Sequence, residues 1–382
     1  MARISTITQF AIGSLTLTVV FVLSVSAHAQ GGTPAAATSA HNAEATGDVG
    51  KYSNWDQMAG RQHGSLMLKG NVVVAGGQLP WDPIPIVVVC GETPRYNTQS
   101  DPKGGFRIEP APRSSEIVTV KSDSKSPNPS QLIGCKVRAE LGGFQSSTLN
   151  IANRTIEDDS DLGTITLTRD EKTPGAAVSG TSAQAPKDAL KSYDKARAEA
   201  SSNRPENAQK ELEKAVHLYP QFAEAWYELG KFEETQKPLD ALNAYSKAVA
   251  ADPQFYPPYE HIAAIAAQQK KWQDVADAAD QGLKLNPSGT PQLWYFSAVG
   301  NYNLGHADIA EKSANTSLAM DPSHKAPNTE QLLAVMLAAK GDYSGALKHL
   351  RSCLTYTAPG PNADLMKQQV AQLEKIVPPA AH

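Results

Sequence analysis

Glu157-Asp158-Asp159-Ser160-Asp161 sets four carboxylates within five residues, the oxygen-rich chemistry that a hard cation such as calcium takes. A solvated acidic loop fits the same run, and the loop is the expectation. His41-Asn42-Ala43-Glu44 has the H-x-x-E spacing of some zinc carboxypeptidases. No third ligand stands nearby, so chance explains it. The remaining histidines are scattered, and those in the C-terminal half (His217, His261, His306, His324, His349) show no metal-ligand spacing. They read as surface or interhelical residues. The chain contains no G-x-S-x-G elbow, no H-E-x-x-H, no Walker loop and no dinucleotide fingerprint. No catalytic residue, metal site or cofactor is expected, and the chain reads as non-enzymatic.

Charge narrows the partner classes. Lys and Arg number 35 against 39 Asp and Glu, a net charge of −4, so nothing marks a nucleic-acid face or a polybasic membrane surface. Three cysteines without a C-x-x-C pair exclude a zinc ribbon and a thioredoxin-type motif.

The elements that must position any site begin after an address label. Arg3 precedes an uncharged apolar run, Phe10 to Val25, and Ala27-His28-Ala29 follows. These are the n-region, h-region and A-x-A site of a secretory signal, residues 1–29, with cleavage after Ala29. An uncleaved anchor is the alternative, but sixteen helical residues span about 24 Å against a ~30 Å hydrocarbon core. The expected address is periplasmic or secreted, with no integral membrane segment after cleavage. Residues 30–62 are small and polar without apolar period, and read as a disordered tether.

Residues 63–170 alternate with period two. Leu66, Leu68, Val72 and Val74, then Ile84, Ile86, Val88 and Cys90, then Cys135, Val137, Ala139 and Leu141, then Ile165 and Leu167 mark dry strand faces. Gly/Pro/Asp clusters separate them, which predicts six or seven strands in a small antiparallel β-sandwich. Cys90 and Cys135 fall on inward positions. In an oxidising compartment the expectation is a disulfide, with two buried free thiols as the alternative. Cys353 reads as a lone structural thiol.

Gly70-Asn71-Val72, Asp101-Pro102-Lys103-Gly104-Gly105-Phe106 and Gly142-Gly143-Phe144 resemble the carboxypeptidase-regulatory-like, transthyretin-like sandwich, which shares its architecture with carbohydrate-binding-like folds. Asp101 and Gly104 should make the turn and Phe106 should enter the core. The resemblance implies an accessory module without catalytic residues. It also opens an alternative function, polysaccharide binding on exposed rings, for which Trp81, Tyr96 and Phe144 are the candidates. Trp81 reads more simply as a loop anchor.

A Pro/Gly/Ser-rich linker, residues 171–186, leads into residues 187–377, where the period becomes helical and repeats. Pro220, Pro253, Pro287 and Pro322 end similar tails and step by 33, 34 and 35 residues, the signature of a helix-turn-helix array. Trp226, Leu229, Gly230, Ala241, Tyr245 and Ala248, with their counterparts in the following units, resemble the tetratricopeptide repeat. Five repeats and a closing helix are expected, an α-solenoid after the sandwich, the first repeat offering Tyr193 one place off the usual aromatic. The whole resembles a group of exported bacterial repeat proteins. Its implication is a concave groove lined by the first helix of each repeat, taking a protein or peptide partner. By repeat register the groove falls on Tyr227, Lys231, Glu234, Glu260, Tyr295 and Tyr302, where tyrosine offers buried area and a hydroxyl together. Packing of these tyrosines against neighbouring helices is the other reading. The Lys and Asn pattern of the family's carboxylate clamp is missing.

Overall fold

The structure, a computed structural model, describes residues 7–12, 15–20, 68–91, 93–108, 134–151, 161–288, 290–321 and 328–377. The signal cleavage site, the tether, Glu157 to Ser160 and Pro322 lie outside the described residues. Within the apolar N-terminal region, β1 (Ile7–Ile12) and β2 (Leu15–Val20) pair antiparallel.

Beyond β1 and β2, the chain divides into two compact units between Arg169 and Asp170. The first holds eight strands: β3 (Leu68–Val74), β4 (Pro85–Cys90), β5 (Thr93–Gln99), β6 (Gly105–Ile108), β7 (Lys136–Ala139), β8 (Phe144–Ser146), β9 (Leu149–Asn150) and β10 (Asp161–Arg169). They form two four-stranded sheets, ordered β6-β3-β10-β8 and β5-β4-β7-β9. Leu68, Val72, Ile86, Val88, Val137, Ile165 and Leu167 from both sheets are fully buried in one core. The alternation seen in the sequence is therefore the alternation of core and surface. One expectation is corrected. The unit is not wholly antiparallel, because β10 lies parallel to β3. Between them the chain crosses back and forth between the two sheets, with β6 and β8 on the outer sides of the β3–β10 pair.

The D-x-x-G-x-F turn forms as its residues dictate. Asp101 Oδ1 accepts from the Lys103 and Gly105 amides at 2.8 and 2.9 Å. Gly104 takes φ +88°, and a Cβ there would meet Val72 O at 2.3 Å, so only glycine fits. Phe106 then enters the core at 3 % exposure. Cys90, at the end of β4, is bonded to Cys135, just before β7.

The second unit contains eleven helices: α1 (Lys187–Ser201), α2 (Pro205–Leu218), α3 (Ala223–Glu233), α4 (Pro238–Ala251), α5 (Pro258–Gln268), α6 (Trp272–Leu285), α7 (Pro291–Asn303), α8 (Ala307–Met320), α9 (Asn328–Ala339), α10 (Tyr343–Tyr356) and α11 (Pro361–Glu374). The first ten form five consecutive pairs, and α11 follows as the closing helix. Helices α2, α4 and α6 each stop two residues before Pro220, Pro253 and Pro287, as the clash of proline with a preceding helical residue requires. Small residues set the spacing. A Cβ on Gly230 would lie 2.6 Å from the Tyr245 ring, and one on Gly282 2.7 Å from Leu293. In the first pair Tyr193 is fully buried against Phe222, ring centroids 4.7 Å apart, so it fills the missing aromatic's place from one position away.

The segment read as a linker is docked on the helices. Gly175 N–H donates to Leu285 O at 2.8 Å, Ala176 N–H to Gln254 O at 2.9 Å, and Ala176 O accepts from Tyr256 N–H at 3.2 Å. Further along, Thr181 Oγ1 donates to Gln221 O at 3.1 Å, and Thr181 O accepts from Tyr219 OH at 3.3 Å. Residues 175–182 thus form a strap that crosses three successive inter-repeat connections.

A polar network on the first helices of the repeats

Three of the six residues expected on the groove are brought together. Tyr227 and Lys231 lie one turn apart on α3, and Glu234 is its C-terminal cap. Glu234 Oε2 accepts from Tyr245 OH of α4 at 2.8 Å and pairs with His261 Nδ1 of α5 at 2.8 Å. His261 Nε2 meets Tyr227 OH at 3.3 Å. The result is a continuous chain, Tyr227–His261–Glu234–Tyr245, that joins three helices of two repeats. The Tyr245 ring stacks on His261 with centroids 4.9 Å apart, and Tyr227 stands edge-on to both Phe255 and His261 at 5.5 Å. Lys231 Nζ lies 5.3 Å above the Tyr227 ring and 3.2 Å from Glu228 Oε2.

Electrostatics follow from this geometry. Burial pulls the Glu234 carboxyl upward, but the His261 bond and charge, the Tyr245 hydroxyl and Lys231 outweigh it and hold the group below the usual carboxylate range. Burial and the neighbouring Glu234 push the Tyr245 phenol well above its ordinary value. The network therefore carries a carboxylate and a neutral phenol at neutral pH. The members that reach solvent are the Lys231 and His261 side chains, 25 % and 27 % exposed.

The other three expected residues are placed differently. Glu260 of α5 accepts from Thr290 Oγ1 at 2.7 Å, while Thr290 Oγ1 also caps α7 by accepting from Leu293 N–H at 3.0 Å. Burial holds the Glu260 carboxyl above its ordinary value against that bond. It serves as a brace between repeats. Tyr295 is 4 % exposed in the core shared by α5 to α9, and Tyr302 is partly buried beside it. The sequence leaves two readings open for the tyrosines at these register positions, groove surface and packing against neighbouring helices. Packing describes Tyr227 and Tyr295, whose rings fill the gaps between neighbouring helices, and Glu234 is 8 % exposed inside the network. His261 is interhelical, one of the two readings the sequence allows it, and it lies 34 residues, one repeat, beyond Tyr227, a spacing that marks it as a partner of that tyrosine.

A second polar cluster ties down the strap. Ser179 N–H donates to Glu224 Oε1 at 2.9 Å, and Ser179 Oγ and Gly180 N–H donate to Asp252 Oδ2 at 2.6 and 3.0 Å. Glu224 N–H in turn donates to Ser182 Oγ at 3.1 Å. Ser179, Ser182, Glu224 and Asp252 are all buried. Among the described residues no group of three His, Cys, Asp or Glu side chains could hold a metal ion, and no helix is long and apolar enough to cross a membrane.

The rings considered for polysaccharide do not form an open platform. Tyr96 and Phe144 pack on the sheet core, the Arg169 guanidinium stands 6.0 Å from the Phe144 centroid, and Trp81 is partly buried.

No family model matches the chain, and no curated protein matches it. Solved structures resemble part of it. MamA from Desulfovibrio magneticus RS-1 is 14 % identical over 45 % of this chain and 96 % of its own, with a TM-score of 0.40. YrrB, a TPR protein with an unusual peptide-binding site, is 19 % identical over 47 % of this chain and 91 % of its own, with a TM-score of 0.41. A tetratricopeptide repeat protein from Parabacteroides merdae is 15 % identical over 50 % and 74 %, with a TM-score of 0.41.

Proposed function

We propose that this chain is an exported, non-enzymatic scaffold whose helical repeats, of the tetratricopeptide type, dock an extended segment of a protein partner. The contact face is that of the first helices, centred on Lys231 and His261. The supporting observation is the Tyr227–His261–Glu234–Tyr245 chain. It fixes the partly exposed His261 on an aromatic floor beside Lys231, whose ammonium lies over the Tyr227 ring, and preorganised polar groups over aromatic surface suit recognition of a polypeptide. The two sheets, sharing one core, act as an accessory domain and are read as a carboxypeptidase-regulatory-like sandwich. The N-terminal signal pattern supports reading the mature chain as beginning at Gln30 and as periplasmic or secreted.

The test is capture from a periplasmic extract by the mature chain, beside Lys231→Glu and His261→Ala variants. These two are chosen over the buried tyrosines because their side chains reach solvent. A protein retained by the parent and lost with both variants, at unchanged helical circular dichroism, is the expected outcome. Equal capture by all three would remove the site from this face.

A further inference from the structure

We propose that residues 175–182 form a latch on the helical repeats whose hold weakens as pH rises, with Glu224 as the group that switches it. The geometry is that of a carboxyl enclosed by its own strap. Glu224 is 4 % exposed in the first turn of α3, and its Oε1 receives the Ser179 amide. Its Oε2 is buried and meets no hydrogen-bond partner among the described residues. An ionised carboxylate there would leave its charge on an oxygen that no donor reaches, which is costly in a dry site.

The charged surroundings reinforce this. Glu228 on the next turn of α3 and Asp252 from the α4–α5 connection both oppose ionisation. Arg197 from α1 and the Ser179 amide favour it. Burial is the largest influence, and together they push the carboxyl from an ordinary 4.5 up to about 8. Undocking of the strap opens Glu224 to water, where it returns toward its ordinary value. Docking therefore takes up one proton between those two values. The docked fraction is greatest in acid, and its equilibrium constant falls by up to tenfold per pH unit through the window before levelling above it. The Asp252 bonds to Ser179 Oγ and Gly180 N–H supply the part of the hold that remains at alkaline pH.

Hydrogen exchange on the full chain reads the latch directly, because Gly175, Ala176, Ser179 and Gly180 amides are all bonded to the repeats. The series would run from pH 5 to 9, corrected for intrinsic exchange. Protection of these four amides should fall by up to tenfold per unit to about pH 8 in the parent. In Glu224→Gln, which keeps an acceptor for Ser179, it should stay level. A flat series in the parent overturns the proposal whether or not the variant folds. An equal slope in Glu224→Gln overturns it too, as does a parallel loss of protection in α3 and α4, which would report unfolding of the repeats instead of release of the strap.

Discussion

A phenol that donates to a buried carboxylate stays in place because separating the two leaves the hydroxyl dry and unpaired and strips the carboxylate of a donor. Tyr245 and Glu234 are such a pair, drawn together by the spacing of α3 and α4 and shared with His261. Replacing Tyr245 by Phe removes the hydroxyl and keeps the ring, so the loss isolates the hydrogen bond. We expect the variant to unfold in urea with about 1.5–3 kcal/mol less stability, the range for a bond to a charged group. In a cycle with Glu234→Gln the two losses should be less than additive, and independent losses would show that the bond does not carry the contact. At this scale the sequence was half legible. Repeat register located Tyr227, Lys231 and Glu234 on one helix, but register says nothing about depth. The burial of Tyr227 depends on Phe255 and His261 from the next repeat, and a single chain read residue by residue does not reveal that meeting.

Elements were easier to read than their neighbours. Period-two runs marked the strands because a sheet with one dry face must alternate, and the tails ending in proline marked α2, α4 and α6. The parallel pairing of β10 with β3 was hidden, since alternation identifies a strand's faces and not its partner. The disulfide between β4 and the start of β7 was anticipated from inward-facing cysteines and is present. It closes a loop with a sequence separation of 45, and the chain-entropy model assigns such a closure about 4 kcal/mol. Replacing Cys90 and Cys135 together by Ala should therefore lower the thermal midpoint of the sheet unit, followed by far-ultraviolet circular dichroism, and leave the helical transition in place. A helical transition that moved equally would show that the two units do not unfold separately. The strap escaped the sequence for a different reason. Its anchors are mostly backbone groups and small hydroxyls, which leave no periodic pattern in a run of Ser, Gly, Ala and Thr.

On the scale of the whole molecule, helices that repeat every 33 to 35 residues touch mainly their neighbours, and such arrays gain stability pair by pair along the chain. The strap departs from that rule by bonding at Gln221, Asp252, Gln254 and Leu285. A Cβ on Gly175 would come within 2.6 Å of Leu285 Cβ and 2.9 Å of Leu285 O, so Gly175→Leu should lift one end of it. Native-state exchange should then show α2 to α6 opening more readily while α7 to α11 keep their parental protection. Uniform loosening of all the helices would mean that the strap is not a local tie. In the parent chain the statistical mechanics of the array is that of a one-dimensional Ising row with a long-range coupling added at one end. Fraying should accordingly start from the α11 side and stop at a domain wall near α6 and α7, dividing an outwardly periodic solenoid into a cooperative block and a progressive one.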